Sequence, residues 1–352
     1  MKRALIVLLL LAVAGGLFAQ SVVFSGHARS GLMVAIEDDT TFHVYNPDPG
    51  QQVRFELNVA ATRADGNAGA SGRLRYLRNE DANSVVGEWG YAWLKPMDTL
   101  TLYGGKMDNN NWGTMGGFDA DGGVGSQTGI LIRFDPVAGV SLGASASPLG
   151  LEIGKADYRF GLKYTMTGLF AAAANLGYNG NTEVTNVNAG FDFLGLSGLG
   201  LSKLALDLQA NNLSDLAWLG IGPRVHFAFG DFSGGVRARV FLPMGESTED
   251  LDAAATLWGQ IPFGTITARL GVGYELNAAV ASTNGARFDY REWDALPKAI
   301  GGAADESLLI VRPSLTFNIG GGSLEAGFSM LTNVGGESKS KSAIFANFSV
   351  GF

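Results

Sequence analysis

The sequence predicts an all-β protein: a transmembrane antiparallel up-and-down barrel of about 18 strands, with 16 as the fallback, short turns at one end and long loops at the other. Three observations carry that prediction. Side chains alternate apolar and polar with a period of two along most of the chain. Tight connections alternate with long ones. The composition is that of a chain whose outer surface is not wholly wetted by water: 46% of the 352 residues are apolar and 16% charged, with 51 glycines, 21 phenylalanines and 10 prolines. A soluble domain carries about 25% charged residues.

Residues 1–19, MKRALIVLLLLAVAGGLFA, read as a secretory signal. Lys2 and Arg3 precede an apolar stretch from Ala4 to about Val13, and small residues follow to Ala19. The stretch is short for a membrane helix, and no long apolar run follows it. The expected organisation is therefore a signal over 1–19 and one barrel domain over 20–352. Without cysteine there is no lipid-attachment site and no disulfide framework. Without Lys2 and Arg3 the 25 basic residues become 23 against 33 acidic ones, a formal charge of about −10. That balance excludes nucleic acid as an expected partner, because binding it needs a basic footprint.

The strands follow in order from the alternation. The first is expected near Val22 to Ile36. In QQVRFELNVA, Val53, Phe55, Leu57 and Val59 share one face, and Gln52, Arg54, Glu56 and Asn58 the other. In YRFGLKYT, Tyr158, Phe160, Leu162 and Tyr164 oppose Arg159, Gly161, Lys163 and Thr165. The split recurs in SKLALDLQ, FGTITARLGVGYEL and LLIVRPSLTFN. Many such runs last about 10 to 12 residues, enough to cross a bilayer when tilted. Long loops are expected at Glu37 to Gly50, Asn79 to Val85, Asp108 to Ser126, Gly245 to Asp250 and Asn277 to Asp305. Tight joints are expected at Met97–Asp98, Val137–Ala138, Gly230–Asp231, Gln260–Pro262 and Ile319–Gly322. A soluble sandwich also alternates, but its polar face would meet water and be richly charged. Here that face is often Gly, Ser, Thr, Ala or a single charge, and closure removes edges that so many long strands would expose. The chain ends in SAIFANFSVGF, where Ile344, Ala346, Phe348, Val350 and Phe352 share one apolar face.

That ending resembles the assembly signal of bacterial outer-membrane porins: a terminal Phe352 preceded by apolar residues at every second position, including Val350 and Phe348. The passage YAWLKPMDTLTLYGGKMDNNNWG is similar to the one in which the fourth porin strand turns tightly into the fifth. A Gly and a basic residue then end the fifth strand, here Gly105 and Lys106. The signal ending in FAQ and the passage GYAWLKPMDTL are also similar to spirochaete outer-membrane proteins. The resemblance implies a barrel in the lipid bilayer of the outer membrane, inserted by the barrel-insertion machinery that reads Phe348, Val350 and Phe352. It implies passage of small hydrophilic solutes, and it leaves monomer or homotrimer open. It also implies that the third loop, with Asp108, Trp112, Phe118, Asp119 and Asp121, folds inward and narrows the channel. The loop lacks the Pro-Glu-Phe-Gly type of turn that many trimeric porins carry.

With the apolar face on lipid, the inward face carries Arg29, Arg54, Arg73, Arg75, Arg133, Arg159, Lys163, Lys203, Arg224, Arg237, Arg239, Arg269 and Arg312. Fewer acids share it: Glu56, Glu88, Asp135, Asp207, Glu275 and Glu325. A basic, low-dielectric wall concentrates anions, so a passive channel with a modest anion preference is expected. The competing reading is that these arginines are paired with acids and only stiffen the wall. Trp89, Tyr91 and Trp93 share one face and are expected at the lipid headgroup level. No cofactor and no metal is expected: the DADGG of the third loop lacks the other ligands of a calcium loop, and no histidine pair sits at ligand spacing. His27, His43 and His226 assemble no nucleophile or acid pair, so no enzyme is expected. The alternative to a channel is a barrel with a closed lumen that displays adhesive or antigenic loops.

Overall fold

The structure, a computed structural model, describes residues 19–36, 41–45, 53–78, 83–107, 128–148, 153–194, 196–213, 215–216, 218–244, 251–276, 307–334 and 340–352. Residues 1–18 of the signal expected over 1–19, the third long loop and the loop at 277–305 lie outside them, while Ala19 begins the first strand. The strands are β1 (Ala19–Ile36), β2 (Thr41–Tyr45), β3 (Val53–Arg63), β4 (Ala68–Arg78), β5 (Asn83–Met97), β6 (Leu100–Lys106), β7 (Thr128–Val137) and β8 (Val140–Ser147). Then come β9 (Asp157–Met166), β10 (Phe170–Asn179), β11 (Val184–Phe193), β12 (Leu201–Asn211), β13 (Trp218–Phe229) and β14 (Phe232–Pro243). The last are β15 (Asp252–Phe263), β16 (Ile266–Leu276), β17 (Ser307–Ile319), β18 (Gly322–Val334) and β19 (Ser340–Gly351).

These nineteen segments occupy eighteen positions of one closed antiparallel sheet. Apart from β2 and β3, which both pair with β1, each strand pairs with its sequence neighbour, and β1 pairs with β19 to close the ring. The other edge of β1 is shared: β3 pairs with Ala19 to Ser30, and β2 continues that position along Gly31 to Ala35. His43, expected in a loop, therefore belongs to a strand and sits opposite Met33. Closure leaves no free ladder edge along the ring, the condition a sheet must meet in hydrocarbon.

The joint at the seam is made by the last residue. Gly26 N–H donates to the Phe352 carbonyl at 2.9 Å, and Phe352 N–H donates to the Gly26 carbonyl at 3.0 Å. The Phe352 ring stacks on Phe55 of β3, centroids 5.8 Å apart. A Cβ on Gly26 would stand 2.6 Å from that ring, so only glycine admits it.

Burial settles which face is outside. On β19, Phe348 and Val350 are 47% and 46% exposed, whereas Phe345, one step out of phase, is 1% exposed. The same inversion holds for Phe160, Leu162, Leu257, Leu270 and Leu315, all outward and exposed. A water-facing sheet would not leave so continuous an apolar band uncovered. At the turn end the band finishes in Met97, Val137, Phe229, Phe263 and Ile319, each beside a tight turn. At the other end outward tyrosines mark the limit: Tyr76, Tyr158, Tyr178 and Tyr274. Eight steps of β10 separate Phe170 from Tyr178, about 26 Å along the strand.

Turns join the strands at 98–99, 138–139, 230–231, 264–265 and 320–321. One expected joint moves: β15 runs through Pro262, which pairs with Thr267, to Phe263. A proline close to a strand end costs the ladder little, so it did not mark the turn. The lumen has two layers. In the half nearer the long connections, inward side chains such as Met33, Asn188, Asp207, Phe241, Ile310 and Leu331 are buried. In the half nearer the turns, Asp135, Thr165, Gln260 and Thr316 keep part of their surface open.

Candidate functional site

The lumen wall is the only surface on which polar chemistry is concentrated among the described strands. Antiparallel partners share a face, so register carries the inward face around the ring. It begins at His27 and Glu56, passes through Arg75 and Arg73, Arg133, Arg159 and Lys163, and reaches Lys203, His226, Arg224 and Arg237. It continues through Arg239 and Arg269 to Arg312. The backbone of Arg54 stands opposite Arg29 on that face; its side chain lies outside the described atoms. Asp108, Trp112, Phe118, Asp119 and Asp121 lie outside the described residues.

Two stretches of wall differ in how their cations are held. On β3 to β5, Glu56 is fully buried and accepts from Arg75 Nε at 2.7 Å. His27 Nε2 lies 3.1 Å from its other oxygen, within ion-pair reach when protonated, though not aligned as a hydrogen bond. Arg75 also meets Glu88 at 2.5 Å. Arg73 donates to Asn58 at 2.7 Å and to Glu88 at 3.3 Å, with its guanidinium 5.2 Å from the centre of the Trp89 ring. Smaller pairs follow: Arg133 with Asp135 at 2.9 Å, Arg159 with Asp157 at 2.8 Å, and Arg312 with Glu325 at 2.8 Å. Here the cations are paired with acids.

On β12 to β16 cations crowd together. Lys203 pairs with Asp192 at 2.9 Å. Arg224 and Arg237 are direct cross-strand partners, with Arg239 two residues further along β14. Arg269 sits 5.1 Å from the centre of the Trp258 ring, and the His226 ring meets the same indole edge-on at 5.6 Å. Among the described residues neither Arg269 nor Lys163 has a carboxylate within ion-pair distance. Three buried acids, Asp207, Asp252 and Glu275, stand on the same inward face of this stretch.

Trp89, Tyr91 and Trp93 correct an expectation: they face the lumen, not the headgroups. Their partners on β4 are Arg73, Ser71 and Gly69. The reason is a bulge. Val86 pairs with Arg75 and Gly87 with Leu74, but Trp89 then pairs with Arg73, so Glu88 is extra and the parity flips after it. Trp218 and Trp258 also point inward, so every described tryptophan lines the lumen. The cluster around Trp258 escaped the sequence reading, although Trp258 shares its parity with Thr256 and Gln260, the polar face of TLWGQI. Among the described residues no three histidines or acids converge as a metal site.

No family model matches the sequence, and a comparison with the curated proteins finds no match. Solved structures do resemble it. OccK11 (OpdR) of Pseudomonas aeruginosa superposes with a TM-score of 0.56 at 12% identity, covering 95% of this chain and 97% of the other. OpdQ of Pseudomonas aeruginosa gives 0.56 at 10% identity, covering 95% and 99%. OprD of Pseudomonas aeruginosa gives 0.57 at 9% identity, covering 95% and 96%. At these identities the likeness is one of fold. The chain has the closed eighteen-strand barrel fold of the OprD and Occ outer-membrane porins.

Proposed function

We propose that the protein is an outer-membrane porin, a passive channel for small hydrophilic solutes with a modest anion preference. The observation that carries the reading is the pairing of an apolar outer band with an inward face rich in cations, above all Arg224, Arg237 and Arg269. Residues 1–19 serve as the export signal and 20–352 form the barrel. Phe348, Val350 and Phe352 guide insertion by the barrel-assembly machinery, and a homotrimer is the assembly to test by crosslinking. The test of the channel is a planar bilayer under a salt gradient: a reversal potential of the sign for anion preference is expected, and cation preference would overturn that part of the reading. Deleting Phe352 tests the assembly role, since undiminished insertion in the outer membrane would remove it.

One observation favours a second reading, in which the barrel is a closed pedestal for surface loops. Inward side chains in the half nearer the long connections are buried. Such a barrel would insert normally and conduct nothing, so the same bilayer measurement separates the two.

A further inference from the structure

We infer that the aromatic strip on the inner face of β5 is a sugar-binding track, a subsite that rests on the channel reading and names a solute class for it. Trp89, Tyr91 and Trp93 stand at every second position, so their rings rise along one wall over about 13 Å. Trp89 and Tyr91 have ring centroids 5.7 Å apart, and Tyr91 meets Tyr103 of β6 at 6.0 Å. Tyr91 and Tyr103 pack against the buried Met107 and Leu131, which fixes the middle of the strip before any solute arrives. Such preorganisation lowers the entropic cost of binding.

The geometry at Trp93 decides the ligand class. Its partner across the sheet is Gly69, and a Cβ there would stand 2.7 Å from the indole. The indole therefore lies over the glycine against the wall, and its other face is turned to the lumen. A flat, rigid, weakly negative π-face suits the C–H face of a pyranose ring. The hydroxyl rim of the sugar needs donors and acceptors close by, and Arg73, Asn58 and Glu88 flank the strip at Trp89. Their charges are mutually balanced, so the strip holds a neutral polyol by hydrogen bonds rather than drawing ions. A flexible chain of the same size has hydroxyl or ether oxygens but no rigid apolar face to stack.

The test is a planar-bilayer recording of the intact protein with maltotriose or with a polyethylene glycol of matched hydrodynamic size. Maltotriose is expected to block current in a saturable way, and the polyethylene glycol is not. Trp93→Ala should raise the half-blocking concentration about tenfold, the scale of one lost aromatic contact, and Trp93→Tyr should restore most of it. Equal block by both solutes, or an unchanged half-block in a Trp93→Ala protein that folds, overturns the proposal. If the protein conducts nothing, the channel reading fails separately. Titrating maltotriose into the detergent-solubilised protein while following tryptophan fluorescence then tests the strip alone, and a flat titration would sink it.

Discussion

Arg73 over Trp89 and Arg269 over Trp258 are the same local arrangement on two stretches of one wall. They differ in what else holds the arginine. Arg73 is tied to Asn58 and Glu88, inside a network whose hub, Glu56, reaches His27 of β1. Arg269 has the indole, uncharged cross-strand partners in Gln260 and Ser314, and a longer-range attraction to Glu325. The balanced stretch joins β1, β3, β4 and β5, on the side of β1 away from the β19 seam. If the barrel is the proposed channel, the looser hold on Arg269 leaves more of its field where a permeating ion would feel it. Sequence composition sees arginine in both places; only the pairing separates one from the other.

The largest way to break the comparison is at its hub. Glu56→Gln would leave Arg75 short of a partner in a buried site and remove the acid facing His27. Removing one member of a buried pair costs about 3–5 kcal/mol, although Glu88 still reaches Arg75 and softens the loss. A lower urea midpoint for loss of the folded, heat-modifiable band on a gel is expected. Anion preference should change little by comparison. An unchanged midpoint would mean that the closure does not depend on this network.

The architecture was legible because one period repeats. Val53, Phe55, Leu57 and Val59 on one strand, and Ile344, Phe348 and Val350 on another, needed only parity to be placed on a common outer face. What parity could not supply is a change of parity. The bulge at Glu88 turns both Glu88 and Trp89 inward, and the sequence GEWGYAW contains nothing that marks it. Nor could it reveal that Thr41–Tyr45 resumes the position of β3 beside β1, because that depends on pairing with Gly31 to Ala35 rather than on local propensity. The pairing of charges was hidden for the same reason. Glu56 and Arg75 are nineteen positions apart and become neighbours only through register.

A smaller effect is expected from converting the second stretch into the first. Arg269→Glu puts a carboxylate beside Trp258 and within the same wall as Arg312 and Arg237. The charge changes by two units, each worth about 1 kcal/mol at about 4 Å in a watery lumen, together about thirtyfold in a permeability ratio. The reversal potential under a salt gradient should therefore move measurably toward cation preference. Arg73→Glu, the same change of two units, should move it less, because Arg75 remains beside Glu88 and the added carboxylate. Equal shifts from the two variants would mean that the balance of charges does not distinguish the two stretches.

The smallest effect lies in the aromatic half of each arrangement, and it sharpens the comparison most. Trp258→Leu removes the π-face under Arg269, a cation–π contact worth about 0.5–1 kcal/mol at a partly open site. Glu325 acts on that guanidinium only from beyond ion-pair distance, so its mean position in the lumen should broaden and the proposed anion preference should fall slightly. Trp89→Leu removes the same kind of contact from Arg73, yet the bonds to Asn58 and Glu88 persist. There the reversal potential should stay where it was. The pair is best read at low ionic strength, because the Debye length falls from about 10 Å at 0.1 M salt to about 3 Å at 1 M and would erase a difference this small. If Trp89→Leu shifts selectivity as much as Trp258→Leu does, then the carboxylates are not what holds Arg73 in place.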